Sequence, residues 1–157
     1  MIVALLGTGP DSFDRLVRPL DELAQKHGWE IFIQLGHTRY TPQHCRFERF
    51  VERERLLRML STAELVVTQG GYGGIRDALQ FGKPIVAVPR EPARHESPDC
   101  QEELVRAMEE RGYLIGIYDI GDLERAIVRA RSFVPATRKE SMIPELLTAY
   151  VNGLCFR

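Results

Sequence analysis

Cysteine is scarce in this sequence, tryptophan occurs once, and charge of neither sign dominates. Cys45, Cys100 and Cys155 are too widely spaced for a paired zinc site and too few for a dense disulfide framework, which points to a reducing, cytoplasmic setting. With 21 Lys and Arg against 22 Asp and Glu, the formal charge of -1 offers no field to draw nucleic acid or an anionic membrane. The run Arg46-Phe-Glu-Arg-Phe-Val-Glu-Arg-Glu-Arg55 looks basic, but its interleaved glutamates make it a solvated face rather than a polyanion site. Long apolar runs are missing too. Nothing approaches the roughly 20 residues of a membrane span, and Met1-Ile-Val-Ala-Leu-Leu-Gly7 is shorter than a signal-peptide core with its flanks. A soluble, unprocessed chain with no membrane span of its own is expected.

What the sequence has is alternation. Its 157 residues suit one core, so residues 1–157 are read as a single domain in which 139–157 form a C-terminal helix. Ile2–Leu6 is a short apolar run closed by Gly7-Thr-Gly-Pro10, the pattern of a buried strand. From Ser12, a plausible cap, Phe13, Leu16, Val17, Leu20, Leu23 and Ala24 recur at helical spacing as far as Gly28, with Pro19 expected to kink or shorten the helix. Strands follow at 30–35, 46–50 (weaker, at the sheet margin), 64–68, 84–88 and 113–118, and helices at 52–62, 74–81, 99–111, 122–131 and 139–152. Apolar strands alternating with amphipathic helices make a doubly wound α/β domain, Rossmann-like, whose mostly parallel sheet is covered on both faces. Ligands in such sheets lie beyond the carboxyl ends of the strands, so loops 7–12, 36–43, 69–74 and 89–99 are expected along one edge.

The strand 64–68 runs straight into Gln69-Gly-Gly-Tyr-Gly-Gly74 and then a helix. Glycines let the backbone approach an anion, and the unpaired amides and dipole of a helix start suit phosphate or diphosphate without a metal. The spacing is neither the dinucleotide fingerprint nor a P-loop, and glycines also serve a plain strand-to-helix turn. Other residues carry a similar choice. Asp77 binds ligand or is a first-turn carboxylate favoured by the dipole. Asp99 belongs to the site or is an N-cap after Pro98, with Gln101 an exposed helix residue. His37 and His95 are phosphate or acid–base candidates, or ordinary loop histidines. Tyr72 stacks on a base or covers the glycine turn.

Taken together, Gln69-Gly-Gly-Tyr-Gly-Gly-Ile-Arg-Asp-Ala-Leu79, Phe81-Gly-Lys-Pro84, Val88-Pro89 and Asp99-Cys-Gln101 resemble the donor-binding C-terminal domain of the family 28 glycosyltransferases. The pattern of that family is His-x-Gly-x-Gly-Ser/Thr-x-x-Glu-x-Leu, a Gly-x-Pro, a strand ending in proline, and a downstream Asn/Asp-x-Gln. Gly7-Thr-Gly-Pro-Asp-Ser-Phe-Asp-Arg-Leu16 and Gln34-Leu-Gly-His37 look like its small stand-alone members. These include the Alg13-like subunit of the eukaryotic N-acetylglucosaminyltransferase and the PssE-like subunits of bacterial exopolysaccharide synthesis. The resemblance covers nearly the whole chain and implies the C-terminal half of a GT-B glycosyltransferase. It places Gly71, Gly73 and Gly74 at the donor diphosphate, Asp77 on the ribose, and Asp99 with Gln101 on the sugar. Gly7, Thr8, Gln34, Gly36, Gln69 and Gly70 complete the implied donor site, for which a UDP-sugar is the substrate and no cofactor or metal is expected. Gln69 stands for the family's histidine, Asp77 for its glutamate, and Gly74 for its hydroxyl residue.

Full-length members of that family react between two such domains, and the acceptor and usually the base come from the other half. The implied role is therefore the donor-binding subunit of a two-component inverting transferase, completed by a membrane-associated acceptor subunit carrying a lipid-linked sugar. The product would be a polysaccharide or glycolipid. The alternative is a non-catalytic nucleotide-sugar-binding or regulatory subunit. Leu146, Leu147, Tyr150, Val151, Leu154 and Phe156 near the chain end suit packing on the chain's own sheet, a partner helix, or a homo-oligomer.

Overall fold

The computed structural model describes residues 1–136. Its strands are β1 (Ile2–Leu5), β2 (Ile31–Gln34), β3 (Arg46–Glu48), β4 (Leu65–Gln69), β5 (Ile85–Val88) and β6 (Ile115–Gly116). They form one sheet in the order β3-β2-β1-β4-β5-β6, and every pairing is parallel. Every residue of β1, β2 and β5 is buried, as expected of strands covered on both faces.

The helices are α1 (Asp14–His27), α2 (Arg53–Thr62), α3 (Tyr72–Gln80), α4 (Glu102–Glu110) and α5 (Leu123–Ala130). Successive side chains of a strand point to opposite faces, so β1 contributes Ile2 and Ala4 to one core and Val3 and Leu5 to the other. The first core lies beneath α1 and α5, through Leu16, Leu20, Ala126 and Ile127. The second lies beneath α2, α3 and α4, through Leu60, Ile75, Ala78 and Val105. The doubly wound α/β fold read from the sequence is the one observed.

Local differences have local causes. Pro19 does not shorten α1, which runs through it for 14 residues because its buried stripe against the sheet outweighs one missing donor. Ser12 does not cap that helix; Phe13 takes the N-cap position, while Gly28 closes the other end in a left-handed conformation. α3 begins two residues earlier than expected, inside the glycine run, with Gly71 at its N-cap. α4 begins at Glu102, because Gln101 rather than Asp99 precedes its first turn. The helix expected at 139–157 lies outside the described residues. Among the described residues Cys45 is buried, Cys100 is exposed, both are free, and no helix is long and apolar enough to cross a membrane.

Candidate functional site

The strand order reverses between β1 and β4, which leave the sheet centre in opposite directions and open a crevice beyond their carboxyl ends. A cleft of about 470 Å³ occupies this place. Its β1 wall is Leu5 and the loop Gly7, Thr8 and Gly9, and its β4 wall is Thr68, Gln69 and the start of α3. Buried Gln34 fixes the floor by donating through Nε2 to the Gly7 carbonyl at 3.0 Å, and Thr68 donates to the Leu5 carbonyl at 3.2 Å. Gly7, at φ +79°, leaves room for the Gln69 side chain, which also lies against Gly71.

At the mouth of α3 the backbone is bare. Gly71 is the N-cap, no side chain caps the helix, and a Cβ on Gly73 would meet nothing within 4 Å. The first-turn amides thus face the cleft as a ready anion site. Gly74 has a different reason to be glycine: a Cβ there would stand 2.6 Å from Thr68 Oγ1, so its absence lets α3 settle on β4.

Asp77 lies on the same wall and is buried. Because α3 starts at Tyr72, Asp77 falls beyond the first turn, and a dipole-favoured carboxylate does not describe it. Its partners are arginines. Arg53, the first residue of α2, grips both carboxylate oxygens, and Arg76 adds contacts of 3.3 and 3.1 Å to Oδ1. The Arg53 hydrogen bonds hold the Asp77 carboxyl below the usual carboxylate range against the opposing effect of burial. Asp77 in turn raises the Arg53 pKa. Glu52 orients this corner by accepting from the amides of Glu54 and Arg55 at 2.9 and 3.0 Å, as an N-cap.

Of the residues singled out in the sequence, Gly7, Thr8, Gln34, Gln69, Gly71, Gly73, Gly74 and Asp77 line this cleft. Gly36, Gly70, Asp99 and Gln101 do not. Gly36, at φ +59°, lies behind the floor, where a Cβ would stand 2.5 Å from the Gly7 carbonyl oxygen. Gly70 packs under α4, with a Cβ position 2.8 Å from both Gln101 Cβ and Val105 Cγ2. Gln101 accepts from the Arg90 amide at 3.1 Å, and Asp99 is exposed. His95 lines a separate hollow with Asp11 and Ser97, while His37 meets Phe50 edge-on at the cleft margin, with ring centroids 5.1 Å apart. Tyr72 is exposed on an adjoining groove between α3 and α4. Among the described residues no three His, Cys, Asp or Glu side chains gather as a metal site.

Sequence reasoning missed Phe50, Val51, Arg53 and Leu56, which form the third wall, and Arg76. The signal was in the run 46–55. Phe50 and Val51 follow a strand end, and the rule that ligands lie beyond strand carboxyl ends applies to β3 as to the others.

The family model of the glycosyltransferase family 28 C-terminal domain matches residues 1–145. The chain belongs to this family. It is also 28% identical over 125 residues to the UDP-N-acetylglucosamine transferase subunit ALG13 of Mus musculus, a match covering 71% of this chain and 10% of the mouse protein. Crystal structures that share its fold include two of different activity. One is the glycosyltransferase of kitacinnamycin, with 24% identity, a TM-score of 0.62, and 84% of this chain and 35% of that one covered. The other is the UDP-GlcNAc 2-epimerase of Methanocaldococcus jannaschii in complex with UDP-GlcNAc and UDP, with 13% identity, a TM-score of 0.68, and 97% and 45% covered. The chain thus spans less than half the length of each of these proteins.

Proposed function

We propose that the chain is the donor-binding subunit of a two-component inverting glycosyltransferase. It holds a UDP-sugar in the switch-point cleft and works with a membrane-associated subunit that presents a lipid-linked acceptor, in polysaccharide or glycolipid synthesis. The observation that carries this reading is the chemical division of the cleft. Phe50, Val51 and Leu56 give an apolar wall suited to a base, and the bare start of α3 suits a diphosphate. As the sugar departs, negative charge grows on the leaving diphosphate, and fixed amides with nearby arginines stabilise it.

The second requirement of the reaction is a base for the acceptor hydroxyl. Among the described residues no histidine lines the cleft, and the one carboxylate that does, Asp77, is ion-paired and held below the usual carboxylate range, which makes it a weak base. A base supplied by a partner accounts for this, and the mouse relative is itself named as a subunit.

Calorimetry with UDP, UDP-N-acetylglucosamine, CDP and GDP tests the first half of the proposal, and transfer to a lipid-linked acceptor with and without the membrane partner tests the second. UDP and its sugar should bind in preference to the other nucleotides, with turnover only in the pair. No binding of any UDP compound would sink the proposal, and binding without turnover in any pairing would favour a regulatory subunit.

A further inference from the structure

Among the described residues, the charged side chains lining the cleft are Arg53, Arg76 and Asp77, a local balance of +1. Four N–H contacts from the two arginines end on the Asp77 carboxylate, three on Oδ1 and one on Oδ2, and the residue is only 5% exposed. Little capacity remains there for a ribose hydroxyl. The guanidiniums are the opposite case. Each is about half exposed, each has five N–H donors, and among the described residues neither has another partner. The other arginines of α2 differ, since Arg55 pairs with Glu48 and Arg58 with Glu54 outside the cleft.

We infer that Asp77 is a positioning residue in this chain, holding Arg53 and Arg76 as a paired cation site for the donor diphosphate rather than accepting the ribose hydroxyls. This rests on the donor-binding reading above. α2 and α3 each contribute one arginine, the carboxylate between them offsets their mutual repulsion, and the free donors join the first-turn amides of α3 around the phosphate oxygens.

The test is calorimetry of the full chain with UDP, uridine and inorganic pyrophosphate, for the wild type and for Arg53→Gln, Arg76→Gln and Asp77→Asn. Each arginine variant should weaken UDP and pyrophosphate about tenfold, the scale of one charge-assisted hydrogen bond, and leave uridine unchanged. Asp77→Asn should follow the same pattern. Should that buried variant not fold, the two exposed arginine variants decide. Asp77→Asn weakening uridine as much as UDP, with UDP indifferent to both arginines, would overturn the inference and leave the donor-binding function standing. Arginine-dependent pyrophosphate binding without UDP binding would overturn the donor-binding reading and leave only a paired-arginine anion site. Binding of neither ligand would overturn both.

Discussion

The side chain of Gln69 rests against the backbone of Gly7: a Cβ on Gly7 would stand 2.1 Å from Gln69 Nε2. The contact joins the ends of β1 and β4 at the point where the sheet reverses, and it uses the residue that the sequence resemblance sets against a histidine. Gly7→Ala faces two costs, the left-handed φ of +79° and the displacement of Gln69 into the cleft. A loss of about 1–3 kcal/mol from the backbone alone is expected by urea denaturation. Adding Gln69→Ala should recover the steric part and leave the backbone part.

Gly74, which the sequence resemblance sets against a hydroxyl residue, has a visible reason to be glycine. Thr68 Oγ1 fills the space where that side chain would begin, and buried Thr68 spends its hydroxyl on the Leu5 carbonyl. Gly74→Ser, which adds the hydroxyl residue the resemblance sets there, should therefore destabilise the fold by about 1–3 kcal/mol through overpacking. Thr68→Ala should cost about 0.5–1.5 kcal/mol for its hydrogen bond. The double variant should be more stable than the sum of the two losses, and a coupling above about 0.5 kcal/mol in a double-mutant cycle is the measurement.

These two contacts mark the limit of what the sequence conveys. Alternation of buried strands with amphipathic helices is a local property, so the doubly wound sheet and its ligand edge were legible, and with them half of the cleft residues. Which glycine leaves the backbone open to the cleft and which serves packing is not local: Gly70 and Gly74 look like Gly71 and Gly73 until Val105 and Thr68 are placed beside them. Arg53 is the same kind of case. Arg55 belongs to the solvated face read from the run 46–55, where it pairs with Glu48, while Arg53 meets a carboxylate 24 residues away on another helix.

Asp21 gives the fold an acid-sensitive clasp. It is a buried carboxylate on α1 that accepts from the amides of Gln43, His44 and Cys45 at 2.9, 2.7 and 3.0 Å and from the Tyr40 hydroxyl at 2.9 Å. Burial pushes its pKa up, but these donors outweigh burial and hold it below the ordinary value. A folded pKa below the unfolded one gives stability that is present above the unfolded value of about 3.9 and is lost as pH falls through the folded value. Asp21→Asn should lose about 1.5–3 kcal/mol at neutral pH and show a flatter loss of stability below about pH 4. Urea midpoints between pH 2 and 7 for both proteins check this.

Arg90 ties the end of β5 to the loop that forms the cleft's β1 wall. Its buried guanidinium donates to the carbonyls of Leu6 at 2.8 Å, Asp11 at 2.9 Å and Glu96 at 2.6 Å, and it lies 4.6 Å from the Phe13 ring centroid. Burial without a directly bonded carboxylate lowers its pKa, although the nearby Glu96 and Asp11 charges oppose that effect. Glu96 is instead held by Arg15 at 2.9 and 2.8 Å. A lysine cannot reach three carbonyls in the plane a guanidinium spans, so Arg90→Lys should behave as a loss rather than a conservative change. Two or more buried carbonyls would then lack partners, at about 1–3 kcal/mol each. Since the same loop carries Gly7 and Thr8 in the cleft, UDP affinity should fall together with stability. Arg94→Lys, at an exposed position outside the cleft, should change neither. Parallel thermal melts and UDP titrations of the two variants separate a tie that shapes the site from one that only fastens a loop.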